Sequence, residues 1–280
     1  MRADEMLFLN ALSTELENKS IQLPSFPDAV IQIRNSLERD DCDLQKIAKL
    51  ASVETALASR LLQSANSSFY NPAGIAVTDL GAAVMRLGIK EVRNMAISLA
   101  VEQIFLAKEH KSIAADLATL WRRSIAMSSV AYVLAQHCAK PHVDPEKAFL
   151  CGLLHEVGKL YMLTKATQFP GVTIDLEAMS DSDGSWHPQV GKAIAESWGF
   201  ADDIVRTLTP VDELAEGGGA VPPDLVDVVY SAELVCAASP EVPMSFDVLS
   251  VRRLQLTPEL MIELQPAINK RMESMVQSLR

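Results

Sequence analysis

Aromatic residues are few: three Trp, four Tyr and eight Phe make up 5 % of the 280-residue chain. That scarcity weighs against single-stranded nucleic-acid binding, which relies on rings stacked on successive bases. Basic residues are outnumbered, 25 Lys and Arg against 36 Asp and Glu, for a formal charge of −11. A field of that sign repels a phosphate backbone, so general nucleic-acid binding is disfavoured unless a local basic patch overrides it. The four cysteines, Cys42, Cys138, Cys151 and Cys236, form no C-x-x-C pair. Neither a disulfide framework nor a structural zinc site follows. Three of them lie among apolar and small residues, where a free Cys serves as a small hydrophobe. Long hydrophobic runs are missing too. The longest charge-free apolar-rich run, Ser124 to Ala139, has 16 residues and includes Ser, Gln and His; a membrane span needs ~20 mostly apolar ones. Acids interrupt the apolar N-terminus, MRADEMLFLNALSTELE, so no signal peptide is read there. A cytoplasmic location is expected.

What is present is helical periodicity. With 49 % apolar residues the chain can bury a core against the entropy of folding. Leu44, Ile47, Ala48, Leu50 and Ala51 recur at steps of three and four, and Leu57, Leu61 and Leu62 continue the stripe after a break. Asp79 is placed to cap a helix through Leu87, and Gly88 suits its end. Further helices are predicted over Val92 to Ile104, over Leu117 to Cys138 and, after an Asp144-Pro145 cap, through Leu154. Asp224 to Ala238 and Pro258 to Ser278 carry apolar stripes as well, beyond a break at Gly217–Gly219 and Pro222-Pro223. Period-two alternation is scarce. The fold class is all-α.

The string Cys151-Gly-Leu-Leu-His155-Glu156-Val-Gly-Lys159-Leu holds the chemistry. Helical spacing lets His155, Glu156 and Lys159 crowd one side of a helix. Imidazole nitrogen with carboxylate oxygen suits Mn, Fe or Zn, and an ammonium nearby suits a phosphate. Two ligands do not make a site, since a catalytic metal needs roughly three plus an open position. A bare His-Glu pair on an apolar helix is more often structural. The remaining histidines, His110, His137, His142 and His187, are read as solvent-facing or as anchoring a helix. Arg252-Arg253 is read as a solvated doublet.

The same string resembles the G-L-L-H-D-[IV]-G-K segment of the HD superfamily of metal-dependent phosphohydrolases. The surrounding chain is similar to its HDOD branch, the HD-related output domain. Leu23-Pro24 with Phe26-Pro27, Ala65-Asn66-Ser67-Ser68-Phe69-Tyr70, Thr78-Asp79-Leu80 through Gly88, Leu120-Trp121-Arg122-Arg123-Ser124 and His187 through Gly191 with Trp198-Gly199-Phe200 follow its motifs in order. The resemblance implies an N-terminal helix (1–22) and a domain over 23–215, with an N-terminal helical lobe (23–108) and an HD-like helical lobe (109–215). C-terminal helices over 220–280 are expected to pack on that multi-helix bundle.

The departures bear on function. In HD hydrolases the resemblance places a first His, a His-Asp doublet and a distal Asp on the metal. Arg123 stands at the first position here, and a guanidinium offers no lone pair to a cation. Glu156 replaces the doublet's Asp behind His155, and Glu233 is the nearest counterpart of the distal Asp. An arginine among carboxylates forms a charge pair that substitutes for an ion; in the alternative register Arg123 points to solvent. Arg123, His155, Glu156, Lys159 and Glu233 are therefore expected to form a degenerate site, with His155, Glu156 and Glu233 a vestigial ligand set. No cofactor and no catalytic residue is expected. The expected function is a non-catalytic bacterial signalling module that binds a signalling protein or a small nucleotide-like ligand, with homodimerisation left open. The alternative is a phosphohydrolase of nucleotides or cyclic dinucleotides that uses Mn, Fe or Mg.

Overall fold

A computed structural model of the chain describes residues 3–18, 20–21, 44–105, 112–138, 142–174, 186–208, 222–239 and 243–278. The opening Leu23–Pro27 motif and the glycine triplet at 217–219 lie outside these. Every regular element described is helical, and among the described residues no helix is long and apolar enough to cross a membrane.

The chain divides into two compact units. Unit 1 comprises residues 1–24 and 105–261, and unit 2 residues 25–104 and 262–280. The N-terminal helix falls in unit 1, and the 220–280 segment is divided between the units at Met261/Ile262.

Unit 2 contains α2 (Leu44–Val53), α3 (Thr55–Ala65), α4 (Leu80–Leu87) and nearly all of α5 (Ile89–Phe105). The predicted apolar stripe is the core, with Ile47, Ala51, Leu57 and Leu61 fully buried. Asp79 caps α4 by accepting from the Ala82 N–H at 2.8 Å, and Gly88 ends it with a φ of 80°. The loop between α3 and α4 is held by side chains acting on its backbone. Asn66 both donates to the Val77 carbonyl and accepts from the Val77 N–H at 2.7 Å. Arg86 donates to the carbonyls of Ala65 and Ile75 at 3.0 and 2.9 Å. Such bonds satisfy loop carbonyls that no helix can pair.

Unit 1 is built on α6 (Ala114–Cys138), against which α7 (Pro145–Leu154) packs. Ser124, Ser128, Ala131 and Ala135 are fully buried on α6. A Cβ on Gly152 of α7 would lie 2.6 Å from Ser128 Cα, so only glycine permits this approach. After the His155-Glu156 turn, α8 (Val157–Ala166) packs on α9 (Trp186–Ser197) at a second such point: a Cβ on Gly158 would stand 1.9 Å from the His187 carbonyl oxygen. The two glycines of the G-L-L-H-E-V-G-K string are thus the places where helices touch. A short α10 (Asp202–Val205) follows, and α11 (Leu225–Ala237), capped by Asp224 with Asp227 in a reciprocal box, packs across α6 and α7. On α12 (Leu249–Arg253), Arg253 pairs with Asp227 at 3.2 Å while Arg252 stays exposed near Asp247, so only one member of the doublet is a solvated surface charge. The N-terminal α1 (Ala3–Glu17) buries Phe8 and Leu12, and Glu15 receives bonds from the Tyr161 hydroxyl and the Lys165 ammonium at 2.5 Å. The last helix, α13 (Pro258–Ser278), belongs to unit 2 from Ile262 onward.

Candidate functional site

The sequence spacing predicts His155, Glu156 and Lys159 on a single helix; the structure breaks it. α7 ends at Leu154, His155 and Glu156 form a turn, and α8 starts at Val157. The reason lies in the two glycine contacts, which hold α7 on α6 and α8 on α9, partners that one continuous rod need not satisfy together. The turn presents its two side chains to α6 and α11.

Glu156 is 5 % exposed, and each of its oxygens faces a cation. Oε2 lies 3.1 Å from Lys159 Nζ, and Oε1 lies 3.6 Å from Arg123 Nε. Lys159 is 2 % exposed, so its ammonium is as buried as the carboxylate it meets. Arg123 differs: 37 % of its side chain is open to solvent. His155 turns the other way, with Nε2 3.6 Å from Glu233 Oε2 on α11.

Burial disfavours a charged His155, but Glu233 and then Glu156 outweigh it, against Lys159, and hold the imidazole above its ordinary value. For Glu233 burial pushes upward, yet the His155 charge, with Lys159 and His187 behind it, pulls the carboxyl down to about 2. The two shifts have one cause, a His155–Glu233 ion pair. The fold thus brings all five expected residues together as two charge-paired sets. Among the described residues no group of three His, Cys, Asp or Glu side chains has an arrangement able to hold a metal ion.

Two neighbours were not counted with the site in the sequence. His187, in the first turn of α9, is buried and close enough to Glu233 to act on its carboxyl. Cys236, expected as a small hydrophobe, is exposed and within electrostatic reach of Glu156, Arg123 and Glu233. Its position three residues after Glu233, on the same face of α11, is the signal that would have found it. Cys151 does behave as expected: it is fully buried, and burial pushes its thiol up to about 12.

An all-helical protein with a buried H-E turn backed by internal cations defines a helical module with a charge-paired centre. The HDOD domain profile matches residues 23–213, and the chain belongs to the HDOD family. It is similar to an uncharacterized protein of Treponema pallidum (strain Nichols), 23 % identical over 210 residues. That match covers 70 % of this chain but 39 % of the relative, so the chain spans about two fifths of the curated protein's length. Among solved structures, a protein of Shewanella amazonensis SB2B with a proposed metal-dependent phosphohydrolase activity is 23 % identical, with a TM-score of 0.76 and full coverage of both chains. An HDOD domain protein of unknown function from Geobacter sulfurreducens is 20 % identical, with a TM-score of 0.66 over 94 % of this chain and 96 % of that one. At these identities the likeness is one of fold.

Proposed function

We propose that this chain is a non-catalytic regulatory module of the HDOD type, which works by binding a signalling protein or a small nucleotide-like ligand. The observation that carries this reading is the pairing at Glu156, where Lys159 at 3.1 Å and Arg123 at 3.6 Å supply the charge a divalent cation would bring. Such a donor set does not fit an ion. Glu156 is already compensated, His155 is charge-paired with Glu233, and Arg123 repels a cation from the position of the first ligand. Of the two cations, Lys159 is spent on Glu156, and Arg123 keeps the exposure needed to meet an anionic group on a ligand.

The test pairs metal analysis of the dialysed protein with hydrolysis assays over nucleotides and cyclic dinucleotides in added Mn. No stoichiometric metal and no metal-dependent turnover are expected. A transition metal retained one per chain, or Mn-dependent hydrolysis abolished by His155→Ala, overturns the reading in favour of a phosphohydrolase.

A further inference from the structure

Unit 2 buries an arginine that the proposed function leaves unused. Arg271, on α13, is 2 % exposed. Its Nη1 donates to the Tyr70 hydroxyl at 2.8 Å and its Nη2 to Glu91 Oε2 at 2.9 Å. The guanidinium carbon stands 5.9 Å from the centroid of the Phe69 ring, which meets the Tyr70 ring edge to face at 4.7 Å. A guanidinium suits this recess: it is planar, divides its donors between two acceptors, and is weakly enough hydrated to leave water for an aromatic face.

The recess and its occupant have different origins in the chain. Phe69 and Tyr70 come from the loop that Asn66 and Arg86 pin in place, and Glu91 from the first turn of α5, where the helix dipole favours a carboxylate. All of them lie within the family match over 23–213, whereas Arg271 lies beyond it. What holds the occupant is narrow. Leu264, Ile268 and Met275 are the apolar side chains buried on this part of α13, with Arg271 and Ser274 buried beside them and Lys270 Nζ 5.2 Å from the Phe69 ring centroid, while Glu263, Gln265, Asn269 and Glu273 are exposed. Pro266 removes a backbone hydrogen bond from the helix interior. So few apolar anchors make this segment a candidate for local opening.

We propose that Phe69, Tyr70 and Glu91 form a guanidinium-binding recess, that residues 262–278 fill it as an internal strap, and that a second arginine-bearing amphipathic helix can take the strap's place. The strap competes from within the same chain, at an effective concentration of about millimolar, so the recess is closed to weak rivals at rest.

The full chain is tested by hydrogen exchange and by binding of a labelled synthetic peptide of its own residues 258–280. In the unsubstituted chain the amides of 262–278 are expected to exchange at least about ten-fold faster than those of 92–101, as a locally opening segment does. Arg271→Gln should accelerate 262–278 more than 92–101, which loses only the partner of Glu91 at its start, and permit saturable peptide binding that the unsubstituted chain resists. Adding Glu91→Gln should abolish that binding. Equal exchange of the two segments, accelerated together by Arg271→Gln, overturns the proposal, as does a peptide that ignores the Arg271→Gln chain or binds it with and without Glu91. Should Arg271→Gln fail to fold, Tyr70→Phe keeps the ring and deletes one acceptor; an unaltered exchange rate of 262–278 then overturns it.

Discussion

Replacing Lys159 by methionine isolates the charge arrangement on which the candidate site rests. The stem volume is kept while the ammonium 3.1 Å from Glu156 Oε2 is lost. Removing one partner of a buried pair costs about 3–5 kcal/mol, because the other charge is left uncompensated in a dry interior. Arg123 still faces the second oxygen at 3.6 Å, but its side chain is 37 % exposed and its field is screened. The low end, about 3 kcal/mol, is therefore expected for Lys159→Met. That is a large share of a stability of about 5–15 kcal/mol. Lys159→Met with Glu156→Gln removes both charges and should cost less than about 1.5 kcal/mol, since replacing a buried pair by neutral groups of like volume is often close to neutral. The readout is urea unfolding followed by tryptophan fluorescence. Trp121, Trp186 and Trp198 are the only tryptophans, and all lie in unit 1, so the signal reports the unit that holds the site. A single variant within about 0.5 kcal/mol of the unsubstituted chain, the size of an exposed pair, refutes the argument. So does a double variant less stable than the single one.

The His155–Glu233 pair makes unit 1 sensitive to pH in two directions. Because His155 is raised above 6.5, its contribution is complete below that value and is lost as pH rises through the raised one. Because Glu233 is lowered from 4.5 to about 2, its contribution is complete above 4.5 and is lost as pH falls toward 2. Stability measured by the same fluorescence should thus peak between these limits, and His155→Gln should flatten both flanks; an unchanged profile in that variant rejects the pair. Gly152→Ala drives a methyl into the Ser128 backbone, 2.6 Å from its Cα, and should cost at least about 1–3 kcal/mol as overpacking does. A Gly152→Ala protein as stable as the original, by urea midpoint, would show that the two helices are not in contact there.

Much of the fold was legible because it is decided within one or two helical turns. The stripe from Leu44 to Leu62, the caps at Asp79 and Asp144, and the end of α6 at Cys138 depend on neighbours three or four residues away, which sequence displays directly. The family motifs likewise singled out Arg123, His155, Glu156 and Glu233, with Arg123 as a counter-ion of the carboxylates, although not that it meets Glu156 while Glu233 takes His155. Helical spacing put His155, Glu156 and Lys159 on one side of a helix, since it cannot register that Gly152 and Gly158 bind their segments to different partners. Lys159 was read as a hand for phosphate, and only the packing of α8 puts it at 2 % exposure against Glu156.

The amino-acid order alone therefore determined that the chain is helical, where most helices begin and end, and which side chains bear the chemistry. The tertiary structure decided which charges meet: Arg123 with Glu156, His155 with Glu233, and Arg271 with a tyrosine 201 positions earlier in the chain. The physical reason is range. Backbone hydrogen bonds and caps act on adjacent residues, whereas an ion pair forms only where burial of apolar stripes brings distant helices across one another, and that geometry is written in no local stretch of sequence.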